Sequence, residues 1–292
     1  MDLGLKGKVA IVGGASMGIG YGIARTLAME GAHVVITARR DAGLAKAAEA
    51  LQADALKAGS AARIFPIAAD CRRADDCTRV VAATITEFGG IDVLVNNAGY
   101  GYSAAIEEGE DVAVRAMFET NFFGLIAVTK RVLPLMRAHG RGHVINISSI
   151  GGLVGSPSSG YYNASKFAVE GLSQALQAEV GPLGIRVTLI EPGPFRTDFQ
   201  GRSMTATKSP LDAYAGTAGA RRAQQKTGSG KQAGDPVRAA DAIIEVARSP
   251  NPPLHLLLGR NALERARAKY RDVLRSMDEW EKVTLSADFP EA

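Results

Sequence analysis

Tyr162 and Lys166 stand four residues apart in Tyr162-Asn163-Ala164-Ser165-Lys166, just after a glycine-containing turn. On a helix that spacing puts both side chains on one face. Upstream, the apolar run Val144, Ile145, Ile147 ends in Ser148 and Ser149. A β-branched run of this kind reads as a buried strand delivering a hydroxyl at its carboxyl end. A phenol, an ammonium and a hydroxyl would then meet. A free phenol has a pKa of about 10, so only about one in a thousand is ionised at neutral pH. A neighbouring cation favours the phenolate, and roughly 4 kcal/mol of differential interaction would bring its pKa near neutrality. A tyrosine tuned that way can exchange a proton with an alcohol or a carbonyl oxygen, and the serine can bond the same oxygen. Tyr-x-x-x-Lys alone also fits an ordinary helix start, so its meaning depends on its company.

The elements that must position these groups can be read in order. Lys8–Val12 is a short apolar strand running into Gly13-Gly14-Ala15-Ser16-Met17-Gly18-Ile19-Gly20, and a helix follows to about Glu30 with Ile19, Ile23 and Leu27 at spacing four. Gly14 allows a tight turn, while Gly18 and Gly20 let backbone and helix approach a pyrophosphate, which a helix N-terminus favours. The spacing is not G-x-G-x-x-G. His33–Ala38 is the second strand, and Arg39 and Arg40 follow it. Sites that prefer NAD place an acid at this strand end to hold the ribose 2′-hydroxyl. Here no carboxylate would repel a 2′-phosphate and a guanidinium can pair with it, which predicts NADP(H) in preference to NAD(H). The alternative is that both arginines are solvated loop residues.

A helix over 41–58, a strand over Ala62–Ala68, a helix from Arg73 to Phe88 and a strand over Ile91–Val95 come next. Asp70 could accept from an adenine amino group or cap the following helix. Asn96-Asn97-Ala98-Gly99 closes the fourth strand with amides and small residues suited to a ligand crevice. A long helix, Glu110–Ala138, carries Asn121 among apolar Phe118, Phe122 and Leu125; Asn is a poor helix former, and a buried amide needs partners. Beyond the Tyr162 stretch, Ile185–Glu191 is a strand ending in the rigid Pro192-Gly193-Pro194-Phe195-Arg196-Thr197. Residues 200–234 are rich in Gly, Ser, Thr, Ala and Lys and predict a mobile lid with one short helix near 210–223. Asp235-Pro236 starts a helix, Leu254–Leu258 is a last strand, and Asn261 opens a helix to about Lys282. Its stripe of Leu263, Tyr270, Leu274, Met277 and Trp280 predicts core packing or a subunit contact.

Composition narrows the classes. With 292 residues, 46% hydrophobic and 22% charged, the chain can bury one large α/β core. No run of 18 apolar residues and no signal-like start is present, which predicts a cytoplasmic protein without a membrane partner. Cys71 and Cys77 are expected as free thiols. His33, His139, His143 and His255 form no ligand-spaced pair, so no metal is expected. The net charge of +4 and the interleaved acids over 221–275 argue against a nucleic-acid surface.

Alternating strands and helices indicate a parallel sheet covered on both faces. The assembled set resembles the short-chain dehydrogenase/reductase family over about residues 5–200: Gly14, Gly18, Gly20, Asp70, Asn96-Asn97-Ala98-Gly99, Asn121, Ser149, Tyr162-x-x-x-Lys166 and Pro192-Gly193. The resemblance implies one doubly wound Rossmann-type α/β domain over 1–292, a seven-stranded parallel sheet flanked by helices, with the lid at 200–234 and a helical C-terminal extension at 259–292. It implies that Tyr162 is the acid/base, that Lys166 lowers its pKa and binds the nicotinamide ribose, that Ser149 positions the substrate oxygen, and that Asn121 holds the lysine through a water. Choosing Ser149 over Ser148 rests on it. Ser16, Arg39, Asp70 and Asn97 would bind the adenosine half, and Thr197 the carboxamide or phosphate. The expected cofactor contacts also take in Ile19, Arg40, Cys71, Ala98, Gly99, Pro192, Gly193 and Phe195. Gly13 departs from the family, which usually has Thr there. A homotetramer or homodimer through the helices bearing Asn121 and Tyr162 is implied too.

The resulting expectation is hydride exchange between NADP(H), with NAD(H) as the other option, and a small carbonyl or secondary alcohol. Tyr100, Tyr102, Leu153, Phe195, Phe199 and Met204 would line its pocket and suit an apolar or aromatic ketone. A β-ketoacyl-thioester reductase is the competing activity, and a non-catalytic dinucleotide-binding regulator the competing class.

Overall fold

The computed structural model describes residues 4–289. Nine strands are assigned among them: β1 (Val9–Gly13), β2 (His33–Ala38), β3 (Ile64–Ala68), β4 (Val93–Asn96), β5 (Gly101–Ser103), β6 (Gly142–Ile147), β7 (Ile185–Pro192), β8 (Met204–Ala206) and β9 (His255–Leu258). Seven of them form one sheet in the order β3-β2-β1-β4-β6-β7-β9, every pair parallel. The helices are α1 (Gly18–Met29), α2 (Asp41–Lys57), α3 (Ala74–Phe88), α4 (Asp111–Phe118), α5 (Gly124–His139), α6 (Gly160–Val180), α7 (Ala220–Gly228), α8 (Pro236–Arg248) and α9 (Arg260–Leu285). The doubly wound seven-stranded sheet is the architecture that the sequence pattern predicts.

The strands are apolar on both sides because both sides are covered. Ala10, Val12, Val34, Ile36, Val93, Val95, Ile145 and Ile190 face the core shared with α1, α2 and α8. Their neighbours Ile11, Val35, Leu94, Val144 and Val187 face the core under α3, α5 and α6. Chain order reverses between β1 and β4, so the crevice at the carboxyl ends opens there, where ligands of such sheets bind. A row of buried amides fixes the register beneath it. Asn96 Nδ2 donates to Asn146 Oδ1 (2.9 Å) and Thr129 Oγ1 (2.9 Å), and Asn146 Nδ2 donates to Ser173 Oγ (2.8 Å).

Several expectations need correcting. The helix expected over 110–138 is interrupted by a π-helical turn, Glu119–Phe123, that contains Asn121. By length and mean hydropathy (1.3) the continuous stretch Asp111–His139 could cross a membrane. It packs instead on α3 and α6 as a core helix, burying Met117, Leu125, Val132 and Met136. Residues 200–234 hold more than one short helix: β8 pairs with β5 in a separate two-stranded sheet, and a 3-10 turn (Asp212–Tyr214) and a π turn (Ala215–Gly219) precede α7. Low-complexity composition hid the Glu108–Arg222 ion pair that ties this segment down. Of the two roles expected for the apolar stripe of α9, core packing is not found, and the subunit contact remains as the expectation. Only Ala262 and Ala266 are buried, and Leu263, Tyr270, Leu274, Met277 and Trp280 are all exposed, because only the first turns of α9 reach the body.

Gly184 joins α6 to β7 with φ +78, and an added Cβ would run into the Gly140 carbonyl oxygen. Gly184→Ala is expected to cost on the order of 2 to 4 kcal/mol from left-handed strain plus backbone overlap, read as a lower melting temperature with an unchanged circular-dichroism spectrum.

Candidate active site

A cleft of about 1670 Å³ follows the carboxyl ends of β1, β2, β4, β6 and β7. Its first half is a cradle of backbone. Gly14 sits at φ +63, and a Cβ there would lie 3.0 Å from Ala98 Cα and from Asn97 Nδ2. Gly18, at φ +62, faces Thr197. Asn97 Nδ2 donates to the carbonyls of Gly13 (2.9 Å) and Gly14 (3.1 Å), locking the turn to the end of β4. Ser16, Ile19, Arg39, Arg40, Cys71, Ala98, Gly99, Pro192, Gly193, Phe195 and Thr197 also border the cleft. A close-walled glycine cradle at a helix N-terminus, with two guanidiniums at the end of β2, fits a dinucleotide. Gly20 and Asp70 stand back from the wall. Gly20 makes room for the Asn97 amide. The Asp70 carboxylate is gripped by Arg72 through Nε (2.9 Å) and Nη2 (2.5 Å), which holds it below the usual carboxylate range.

The second half brings together Ser149, Tyr162 and Lys166. β6 ends at Ile147, and Ser149 Oγ accepts from Gly151 N (3.0 Å) at the next 3-10 turn, with its own proton directed to the Tyr162 side of the cleft. Asn163 pins that loop to α6, donating to Gly151 O (2.8 Å) and accepting from Ser156 N (3.0 Å). Ser148 is buried (3% exposed) and turned away toward Glu170, since a Cβ on Gly152 would touch both. Both serines border the cleft, but the Tyr162 phenol bonds Ser149.

Lys166 is 5% exposed and donates to Ile147 O at 2.8 Å. Its Nζ lies 5.9 Å from the centre of the Tyr162 ring. Burial pulls its pKa down to about 8, against the opposing charge of Glu170. Tyr162 is partly open to the cleft, yet the packing around it pushes its phenol up to about 12, opposed by a hydrogen bond with Ser149. The lowering expected from Lys166 is not found: desolvation penalises the phenolate, and only the Ser149 hydrogen bond works against it.

Asn121 explains its π turn. Its Nδ2 donates to Tyr100 O (2.9 Å) and Ser165 Oγ (3.1 Å), and its Oδ1 accepts from Tyr100 N (3.0 Å). A helical bulge at a buried amide is how such a side chain reaches backbone outside its own helix. Gly99 lies between Asn121 and Lys166; a Cβ there would sit 3.1 Å from Asn121 Oδ1 and 3.6 Å from Lys166 Nζ.

Of the residues expected around the substrate, Tyr100, Phe195, Phe199 and Met204 border the cleft, and Phe199 packs on Tyr162 with ring centres 5.7 Å apart. Two do not. Tyr102 is buried beneath the wall, where its hydroxyl accepts from Glu110 N, and Leu153 packs on Ile150 and the start of α9. Alternation along β5 turned Tyr102 inward.

Sequence reasoning missed the group behind the lysine. Glu170, Glu191 and His255 come together with their ligand-type atoms within 4.8 Å of one another. His255 Nδ1 bonds Glu191 Oε1 at 2.6 Å and lies 3.6 Å from Glu170 Oε2. Glu170 was legible, because it repeats the four-residue spacing from Lys166. Glu191 and His255 join it only through the pairing of β7 with β9. Burial pushes both carboxyls up, to about 7. Arg221 and Arg265 were also unforeseen; both border the cleft.

Comparison with known proteins matches residues 8–208 to the short chain dehydrogenase family model. A short-chain dehydrogenase from Streptomyces avermitilis is 37% identical, with a TM-score of 0.86 over 97% of this chain and 99% of its own. A metagenomic short-chain oxidoreductase in complex with NADP is 27% identical, with a TM-score of 0.68 over 87% of this chain and 97% of its own. A short-chain dehydrogenase/reductase from Burkholderia phymatum in complex with NAD shares the fold at 22% identity, with a TM-score of 0.81 over 93% of this chain and 96% of its own.

The acid pair has a measurable consequence. A carboxyl whose folded pKa is raised contributes stability that is complete below its unfolded pKa of about 4.3 and lost as pH rises through the folded value. Here that window runs from the ordinary carboxylate range up to about 7. Glu170→Gln is expected to remove part of this dependence. Its melting temperature relative to the parent should climb from pH 5 to pH 8, as followed by differential scanning calorimetry.

Proposed function

The chain belongs to the short-chain dehydrogenase/reductase family of NAD(P)-dependent oxidoreductases, and from that premise we propose that it interconverts a carbonyl and a secondary alcohol of a small organic substrate, with NADP(H) as the partner. The observation that carries this is the gathering of Ser149, Tyr162 and Lys166 in one cleft beside a glycine cradle. Gly14, Gly18, Asn97, Gly193 and Thr197 would hold the dinucleotide, whose nicotinamide ring supplies or accepts the hydride.

The chain's own residues handle the proton. Ser149 has its acceptor lone pair engaged by Gly151 N, so its hydroxyl can donate to the substrate oxygen and fix it beside Tyr162. Tyr162, protonated through neutral pH, is the acid that delivers a proton to that oxygen as the carbonyl is reduced. Lys166 stabilises the phenolate left behind, and its own donation to Ile147 O keeps it at that station. Asn121 acts through backbone: by clamping Tyr100 and Ser165 it fixes the loop after β4 against α6. Phe195, Phe199, Tyr100 and Met204 supply the apolar wall for the substrate body.

The end of β2 favours NADP(H). Ala38 is followed by Arg39 and Arg40, both exposed and neither with an ion pair among the described residues. A 2′-phosphate offers a guanidinium the doubly charged partner that a hydroxyl cannot. Phe123 (50% exposed) beside α5 and Phe167 (46% exposed) on α6 support assembly into a homodimer or homotetramer through these helices.

Tyr162→Phe tests the acid. It is expected to keep NADPH affinity while turnover of ketones falls by about a hundredfold to ten-thousandfold; near-normal turnover would overturn the assignment. Arg39→Ala tests the cofactor. The NADPH Kd should rise by on the order of tenfold with that of NADH little changed, followed by nicotinamide fluorescence.

A further inference from the structure

Seven cationic side chains border the cleft and only one acidic one does. Arg39 and Arg40 lie at the dinucleotide end and Lys166 at the centre. Arg202 is paired with the one acid, Asp198. Arg221, Lys231 and Arg265 remain. Arg221 comes from α7 and Arg265 from α9, and both line the same cleft. Neither has a carboxylate within 4 Å among the described residues, whereas the next residue, Arg222, is paired with Glu108. Arg221 Nε is buried without a hydrogen-bond partner. Arg265 Nη2 donates to Ser156 Oγ at 2.8 Å, on the loop that Asn163 ties to the helix of Tyr162. The two guanidiniums are close enough for Arg221 to disfavour the charge on Arg265, in addition to burial. Two like charges, partly desolvated and left without a counter-ion, are costly unless something anionic visits them. Planar forks of this kind recognise carboxylate or phosphate oxygens.

We propose that Arg221 and Arg265 clamp an anionic group of the substrate, so that the preferred carbonyl or alcohol carries a carboxylate or a phosphate at the end remote from its reacting oxygen. The clamp deepens the oxidoreductase reading above and rests on it. Apolar Phe195, Phe199 and Met204 hold the middle of such a molecule, Ser149 and Tyr162 its carbonyl, and the arginines its tail. A β-ketoacyl group carried on a phosphate-bearing thiol falls within this class, and so does a simple oxo acid.

The test is a series of methyl ketones of increasing chain length ending in a carboxylate, each with its methyl ester and its phosphate-ended counterpart, reduced with NADPH. At the length that spans the cleft, an anionic member should exceed the ester in kcat/KM by on the order of tenfold to a hundredfold through KM. Whichever anion leads names the tail. Arg221→Gln or Arg265→Gln should collapse that ratio toward one, and Arg265→Lys should restore part of it. Equal rates for acid, phosphate and ester at every length would overturn the clamp while leaving the reductase reading intact. So would variants that weaken NADPH binding with the ratio unchanged, since the arginines would then serve the cofactor. Calorimetric titration of the corresponding hydroxy acids, hydroxy phosphates and hydroxy esters into the protein with NADP⁺ separates the two readings. An anion that binds the parent and not Arg221→Gln, without turnover of any ketone, keeps the clamp and sinks the reductase. Equal binding of anions and ester sinks the clamp.

Discussion

The Lys166 ammonium is nearly out of water, and the one hydrogen bond recorded for it is to a carbonyl, that of Ile147. A cation in such a place is costly, and the structure around it exists to make it tolerable and useful. The carbonyl is there because β6 ends at Ile147. Gly99 lacks a side chain where one would press on the ammonium and on Asn121. The π turn that Asn121 occupies joins the helix below to the loop after β4. Each feature positions the same nitrogen under the Tyr162 ring.

Behind the lysine the charges run the other way. Glu170 lies one helical turn further along α6, close to Glu191 and His255. Burial keeps this pair of carboxyls from ionising fully at neutral pH, since two like charges side by side in a dry site disfavour one another. What negative charge remains supports the ammonium, as its effect on Lys166 shows. Glu170 and Glu191 stay behind the cleft, whose own lining is mostly cationic, with Asp198 as its one acid.

The parallel sheet was legible because strand composition and the glycine turn after β1 report local physics. So were Ser149, Tyr162 and Lys166, whose spacing is set by one strand, one loop and one helix. The π turn was half legible: a buried Asn amid apolar neighbours announces a need for partners, but not that the helix must bulge to reach them. Tyr102 was misjudged because three residues of β5 decide which way it points, and β5 exists only by pairing with β8, about 100 residues later. Arg221, Arg265, Glu191 and His255 were invisible for the same reason. Each is an ordinary residue until the pairing of β7 with β9, or the approach of α7 to α9, gives it neighbours. The α9 stripe shows the converse failure, since helical periodicity marks an apolar face without saying whether this chain covers it.

The high pKa of Tyr162 follows from the same burial that strains Lys166, and it bears on direction. On the proposed reading, reduction needs this phenol protonated, which its burial favours, and oxidation needs it to release its proton first, which burial opposes. The resistance depends on what else is present, because a low-dielectric site magnifies any charge that enters it. A positive charge brought into this cleft would act on the phenol with little screening. On that reading the site would favour giving a proton when uncharged ligands surround Tyr162 and taking one when a cation does, so that one packed environment would serve both directions without moving a residue.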